Sequence, residues 1–277
     1  MKSKIEIMKN FIINENLLIC PYCKKSLALL DNSLLCENKH TFNLNKKGYV
    51  RLLNNNKYVE SKIYNKDLFM SRREFIKKDL YNFIYDEIAK IINEKDDGEI
   101  NILDLGCGEG LHSIKILNKL KIKYKYYGFD YSKSAIELAT DFNSMANFYF
   151  LSDVNNIPLK DNSIDIVLDF LSPYNEKEVK RILKNTGIFI KVVPGEKYLS
   201  ELRHTFNLQD YSKNVEIFEN LKKKFIYIEK KRLTSIISID KKDLHNLIEM
   251  TPIKNKKKQG ISLNVVTLDL YIYTIRN

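Results

Sequence analysis

Ile102-Leu103-Asp104-Leu105-Gly106-Cys107-Gly108-Glu109-Gly110 decides the fold of this chain. An apolar run of strand length leads into three glycines at alternate positions, and helical spacing starts near Gly110. The order is a buried strand, a glycine-rich turn and a helix. Glycine lacks a Cβ, so such a turn lets a ligand approach the backbone closely, and the amides at the helix start favour an anionic group. Asp130 ends the next apolar segment, Tyr127-Gly-Phe-Asp130, twenty residues beyond Gly110. An acid at that distance is placed to accept hydrogen bonds from both hydroxyls of a ribose. The plainer alternative, in which Asp104 and Asp130 merely cap turns, leaves the shared spacing of strand, glycines and acid as coincidence. The dinucleotide fingerprint is G-x-G-x-x-G, whereas this stretch reads D-x-G-x-G-x-G.

On either side of that stretch the pattern alternates. Candidate strands cover 100–105, 125–129, 147–151, 164–170 and 187–193, and helical stretches begin near Gly110, Ser132 and Glu176. This β-α-β succession predicts an α/β fold with a parallel sheet covered by helices on both faces. Later strands are expected over 225–231 and 265–275, with a short helix over 241–249. Ahead of the sheet, apolar residues recur at helical spacing over 68–92, which gives one long helix or two short ones. A polar stretch over 54–67 reads as a linker.

The chain has 277 residues, enough for one large domain or two smaller ones with a real core. Apolar residues make up 44% and charged residues 29%, which excludes a disordered tail. Lys and Arg number 46 against 35 Asp and Glu, a formal +11 that favours an anionic partner. The abundance of Lys, Asn and Ile throughout is also what a biased genome would produce. The first twenty residues are interrupted by Lys, Glu and Asn and hold no signal-peptide core, and no stretch has the length and apolarity of a membrane span. A cytoplasmic protein is expected. In a reducing compartment, closely spaced cysteines point to metal or chemistry before disulfides.

Three of the four cysteines lie together, in Cys20-Pro-Tyr-Cys23 and Cys36-Glu-Asn-Lys-His40. Cys20, Cys23, Cys36 and His40 would make a closed Cys3His site for a structural zinc, stabilising a ribbon too small to hold itself together. Leu27 and Leu29, then Leu34 and Leu35, flank a turn at Asp31-Asn32-Ser33 and suggest a small hairpin. Cys107 has no adjacent His or Lys to lower its pKa and reads as a small buried filler of the glycine turn.

The D-x-G-x-G-x-G stretch resembles motif I of the class I S-adenosylmethionine (SAM) methyltransferases. The CPYC…CENKH pattern followed by Thr41-Phe-Asn-Leu-Asn-Lys-Lys-Gly-Tyr-Val-Arg-Leu-Leu53 resembles the amino-terminal zinc module of the RlmA family of 23S rRNA guanine-N(1) methyltransferases. The likeness continues through Met70-Ser-Arg-Arg-Glu-Phe75, Val193-Pro-Gly-Glu-Lys-Tyr-Leu-Ser-Glu-Leu202 and Met250-Thr-Pro252. It implies a class I SAM-dependent methyltransferase, Rossmann-like with a mixed seven-stranded sheet, preceded by a small zinc ribbon. The corresponding division is 1–53 ribbon and RNA-recognition module, 54–95 linker and helical segment, and 96–277 methyltransferase domain.

Carried over residue by residue, the resemblance places zinc on Cys20, Cys23, Cys36 and His40. The cofactor falls on Tyr81, on Asp104, Gly106, Gly108 and Gly110 of the turn, on His112 and Ser113 after it, and on Asp130, Asp153 and Tyr198. The implied reaction is methylation of N1 of a guanine in a 23S rRNA hairpin, with no membrane partner; a homodimer is left open, as is whether two subunits share one hairpin. Lys24, Lys25, Lys39, Lys46, Lys47 and Arg51 of the ribbon, with Arg72 and Arg73, are candidates for the RNA phosphates. Leu171-Ser172-Pro173-Tyr174 resembles the D/N-P-P-Y loop of nucleic-acid amino methyltransferases. It reads equally as an ordinary Ser-Pro turn, or as a base-holding loop in which Tyr174 stacks on a flipped base and a carbonyl near Ser172 accepts its amino proton. Two other classes stay open: a small-molecule methyltransferase whose ribbon is structural or dimerising, and a nucleic-acid-binding protein that keeps the fold without turnover.

Overall fold

Ile100 and Ile102 point to one side of strand β5 (Glu99–Leu105) and Leu103 and Leu105 to the other, all fully buried. That period of two places β5 in the middle of the sheet with apolar layers on both faces. The computed structural model describes residues 2–54, 61, 63–95, 98–212, 214–251 and 260–276. In chain order the elements begin with α1 (Lys4–Ile12), β1 (Ala28–Leu30), β2 (Ser33–Leu35), β3 (Thr41–Asn43), β4 (Val50–Arg51), α2 (Lys66–Ile76) and α3 (Asn82–Asn93). The sheet-building part is β5 (Glu99–Leu105), α4 (Leu111–Leu117), β6 (Lys123–Asp130), α5 (Lys133–Ala139), β7 (Asn147–Leu151), β8 (Ile164–Phe170), α6 (Glu176–Ile182) and β9 (Leu183–Pro194). It ends with α7 (Ser200–Thr205), α8 (Asn214–Lys222), β10 (Tyr227–Ser238), α9 (Lys241–Glu249) and β11 (Val265–Arg276).

The main sheet has the order β10-β11-β9-β8-β5-β6-β7-β4. Strands β9 through β4 run parallel, while β11 pairs antiparallel with β9 and β10 antiparallel with β11. Seven of these make the mixed sheet that the family resemblance implies, the antiparallel β10 and β11 adding to the parallel sheet read from the residue pattern. The eighth, β4, is a correction to the strand count: it comes from the end of the ribbon, with Val50 and Arg51 opposite Phe150 and Leu151. The chain leaves β5 toward β6 and β7, then returns past β5 to build β8 and β9. The switch point therefore falls between β5 and β8, where ligands bind at the carboxyl ends of parallel strands.

The ribbon forms its own antiparallel sheet of β1, β2 and β3, with Leu34 opposite both Leu29 and Phe42. It does not have its own core. Leu27, Leu34, Cys36, Phe42 and Leu44 belong to the same apolar cluster as Leu103, Leu105, Phe148 and Phe150 of the main sheet. Helix α1, which the sequence pattern did not announce, caps itself through Ser3 and Glu6 and inserts Phe11 between Tyr127 and Phe148. Gly48 makes the turn into β4 at φ +88, where a side chain would strike Asn143 and Lys4. Leu52 N–H then donates to the Leu151 carbonyl at 2.9 Å.

The helical stretch ahead of the sheet is two helices, with Asp79 in the left-handed region between them. Asn65 caps α2 by accepting from Leu68 N–H at 3.1 Å. Of the linker expected over 54–67, residues 55–60 and 62 lie outside the described residues, as does Pro252 of the Met-Thr-Pro phrase.

Candidate cofactor cleft and metal centre

The two cysteine knuckles are built alike. Lys24 N–H donates to the Cys20 carbonyl at 2.9 Å, and Lys39 N–H to the Cys36 carbonyl at the same distance. Lys24 and Lys39 both take left-handed conformations, φ 61 and φ 62. The ligand atoms of Cys20, Cys23, Cys36 and His40 all lie within 4.8 Å of one another. Cys23 and Cys36 sulfurs are 3.6 Å apart, and His40 Nδ1 is 3.5 Å from the Cys20 sulfur and 3.4 Å from that of Cys36. A tetrahedral ion with metal–sulfur bonds near 2.3 Å and a metal–nitrogen bond near 2.0 Å has edges of about 3.5 to 3.8 Å, so the quartet fits zinc. Hydrogen bonding from the Lys25 backbone pulls the Cys23 thiol down to about 6, while burial raises that of Cys20 to about 11. The Cys23 sulfur is thus ready as thiolate, and metal binding must displace the proton of Cys20.

At the end of β5 the glycine turn needs its glycines. Gly106, Gly108 and Gly110 all have positive φ, and a Cβ on Gly106 would come within 2.8 Å of Ser172 in the loop after β8. The Ser172 hydroxyl reaches back to the Leu105 carbonyl, which keys the two loops of the switch point together. Asp130 accepts from Gly108 N–H at 3.0 Å with one oxygen and from Ser132 N–H at 2.7 Å with the other. Burial raises its carboxyl. Asp104 is 3% exposed and accepts from the Ser113 hydroxyl and from Tyr126 OH, the latter at 3.0 Å. Burial holds it up to about 7. Asp104 and Ser113 therefore brace the floor of the turn through each other. Asp153, half-buried, follows β7 and folds its carboxylate onto Asn155, accepting from that residue's N–H at 2.9 Å and from its side-chain amide at 3.0 Å.

Tyr81, His112 and Tyr198, distant in sequence, share one aromatic wall. Tyr81 OH and Tyr198 OH are 2.9 Å apart, and His112 stacks on Phe170 with ring centres 4.2 Å apart. His112 Nδ1 lies 2.6 Å from Tyr85 OH. Burial lowers the imidazole to about 3, so it is neutral at physiological pH. Cys107 is buried with its thiol raised well above the usual range, as a filler of the turn should be.

Several sequence expectations need correction. Arg73 is committed to docking α2: it donates to the Glu109 carbonyl at 3.1 Å, the Leu138 carbonyl at 2.8 Å and Asp141 at 2.7 Å. The Ser172 carbonyl accepts from Lys191 Nζ at 3.1 Å, which engages one of its two lone pairs. That lysine pairs with Asp169 at 2.6 Å, both groups buried, and sits 4.8 Å from the centre of the Tyr174 ring. Asp169 also accepts from Ser172 N–H at 3.0 Å. Lys191, Phe170 and Tyr85 were not found by sequence reasoning, because nothing in a strand or helix pattern distinguishes a wall residue from core. On the ribbon, Lys24 donates to Asn156, Lys47 pairs with Glu137 at 2.6 Å and Lys25 lies 3.8 Å from Glu37.

A glycine turn at the switch point, an acid closing the second strand and a mixed sheet with an antiparallel outer pair define a class I SAM-dependent methyltransferase. Its amino-terminal Cys3His cluster is a zinc ribbon. Residues 96–252 match the methyltransferase domain family, and residues 18–58 match the family described as RlmA, N-terminal. The chain belongs to the RlmA family. It is 34% identical over 264 residues to YxjB of Bacillus subtilis (strain 168), provisionally named a 23S rRNA (guanine-N(1)-)-methyltransferase, with 88% of this chain and 89% of that one covered. It is 26% identical over 238 residues to the 23S rRNA (guanine(748)-N(1))-methyltransferase of Streptomyces fradiae, covering 84% of each. Among solved structures, the YcgJ protein of Bacillus subtilis aligns at 16% identity with a TM-score of 0.48, over 69% of this chain and 98% of that one.

Proposed function

We infer that this chain methylates N1 of a guanine in a hairpin of 23S rRNA, using SAM. The observation that carries the reading is the joining of a Cys3His ribbon to the edge of a SAM-type sheet in one chain, an arrangement matched along nearly the full length of relatives named for that reaction. No helix among the described residues is long and apolar enough to cross a membrane. The proposed setting is the cytoplasm, and a homodimer on one hairpin is the assembly to test by sizing with RNA.

Bound SAM supplies an electrophilic methyl group on its sulfonium. The rest falls to this chain. Asp130 would hold the ribose hydroxyls and Asp153 the adenine amino group, while Gly106, Gly108 and Gly110 let the cofactor lie against the backbone. Tyr81, His112 and Tyr198 would wall the methionyl portion, and Asp104 with Ser113 keeps that wall and the turn in register. As guanine N1 gains the methyl group the thioether S-adenosylhomocysteine is left behind, and the N1 proton passes to water. Asp169 and Lys191 hold the Ser172-Pro173-Tyr174 loop, which leaves Tyr174 as the ring on which a base would stack. Positioning two substrates in line accounts for most of the rate in such a transfer.

Under the proposed division of the chain, 1–53 docks RNA, 54–95 links, and 96–277 carries the cofactor. Lys39 and Lys46 are exposed on the ribbon. Methyl transfer to a 23S rRNA hairpin fragment at several salt concentrations tests the reading. Lys46→Ala should raise the RNA concentration needed and flatten the slope of log affinity against log salt by about 0.7 to 0.9. A parent protein that ignores the hairpin but methylates small acceptors would move the assignment to a small-molecule enzyme.

A further inference from the structure

Arg72 and Arg73 are neighbours on α2, but a helix turns about 100° per residue, so they face different surroundings. Arg73 anchors the helix through three hydrogen-bonded partners. Arg72, half-buried, rests its guanidinium on the ring of Phe69, 5.2 Å from its centre. No carboxylate or carbonyl among the described residues accepts from it. A side chain built on Gly108 would come within 3.3 Å of Arg72 Nη1, so the guanidinium stands directly over the glycine turn. Its charge bears on Asp130, His112, Tyr81 and Tyr198, residues of the cleft on three sides.

A second unpaired group lies beside it. Glu109 is 1% exposed, and neither carboxylate oxygen has a hydrogen-bond partner. Burial raises its carboxyl, and the leading influence against that is the charge of Arg72. A guanidinium and a carboxyl left without direct partners at one turn are costly unless something completes them. Were adenosine held by Asp130 and Asp153, the amino-acid end of SAM would fall toward the glycine turn, where Phe69 and Arg72 of α2 stand over Gly108. That end carries a carboxylate, which a guanidinium binds through a planar pair of hydrogen bonds.

We propose that Arg72 holds the carboxylate of bound SAM, standing over the glycine turn beside the buried carboxyl of Glu109. The proposal rests on the reading of the cleft as a SAM site. It departs from the sequence expectation that Arg72 contacts RNA phosphate: the side chain faces the acids of the cofactor cleft, whereas the exposed lysines Lys39 and Lys46 sit on the ribbon.

Calorimetric titration separates the possibilities, with SAM and 5′-methylthioadenosine as paired probes, since the second lacks the amino-acid end. Arg72→Ala should weaken SAM about 10- to 100-fold while leaving 5′-methylthioadenosine within about twofold. Arg72→Lys should recover part of the loss, because a point charge remains without the planar fork. Unchanged 5′-methylthioadenosine binding also reports that the variant is folded. Equal loss of both probes overturns the proposal and makes Arg72 a structural support. Unchanged SAM binding with weakened hairpin RNA binding overturns it in favour of a phosphate contact. A parent protein that binds neither probe removes the SAM reading of the cleft itself, a failure distinct from the other two.

Discussion

The zinc ligands all lie between Cys20 and His40, whereas the cleft gathers its residues from Arg72 to Tyr198. The first site is a matter of spacing along the chain, and the second a matter of topology. Yet the local site is the one that reaches furthest in its effects, because its hydrophobic neighbours share a cluster with Leu103, Leu105, Phe148 and Phe150 beneath the sheet. A ligand-binding ribbon has become part of the wall of another domain. Loss of the metal should therefore be felt at the cleft, although no cleft residue touches it.

That coupling gives the largest expected effect. Cys36→Ser, or chelation of the parent, should remove one zinc per chain and lower Tm by about 10 °C or more, since structural zinc contributes directly to folding free energy. SAM affinity should fall with it near physiological temperature. Zinc loss that leaves both Tm and the SAM titration unchanged would show the ribbon to be an independent appendage.

A smaller effect belongs to the cleft alone. Asp130→Ala should weaken SAM binding by about 1.5 to 3 kcal/mol, the worth of hydrogen bonds to a charged carboxylate. Calorimetry with Tm as a control reads it. An unchanged dissociation constant would take Asp130 away from the ribose.

The smallest is a pH effect on His112. Its folded-state value of about 3 lies below the ordinary 6.5, so as pH falls through that interval the unfolded chain takes up a proton that the folded chain refuses. Stability present above pH 6.5 is lost on acidification, by about 2 kcal/mol at pH 5. Asp104, raised to about 7 by burial, works in the opposite direction. The difference between the parent and His112→Gln, followed as Tm against pH, isolates the imidazole. A constant difference from pH 7 to pH 5 would mean that His112 is not buried as described.

The strand leading into Gly106, the acid at Asp130 and the order of the later strands were readable in the sequence, because burial on both faces imposes apolar runs and glycine marks the turn. The cysteine quartet was readable from spacing, but its left-handed turns at Lys24 and Lys39 were not, since no glycine announces them. The splice of the ribbon into the main sheet was hidden. A two-residue strand carries no period, and Gly48 and Val50 show their purpose only beside Asn143 and Phe150. The different duties of Arg72 and Arg73 were equally hidden, because an adjacent pair says nothing about which side of α2 meets the sheet.

If the ribbon and the SAM cleft work together on one guanine of 23S rRNA, mass spectrometry of 23S rRNA from cells with and without this protein will register it. One N1-methylguanine should disappear when the protein is removed, return with the parent chain, and return in reduced amount with Asp130→Ala. Identical N1-methylguanine in the two rRNA samples would mean that this protein does not methylate guanine N1 of 23S rRNA.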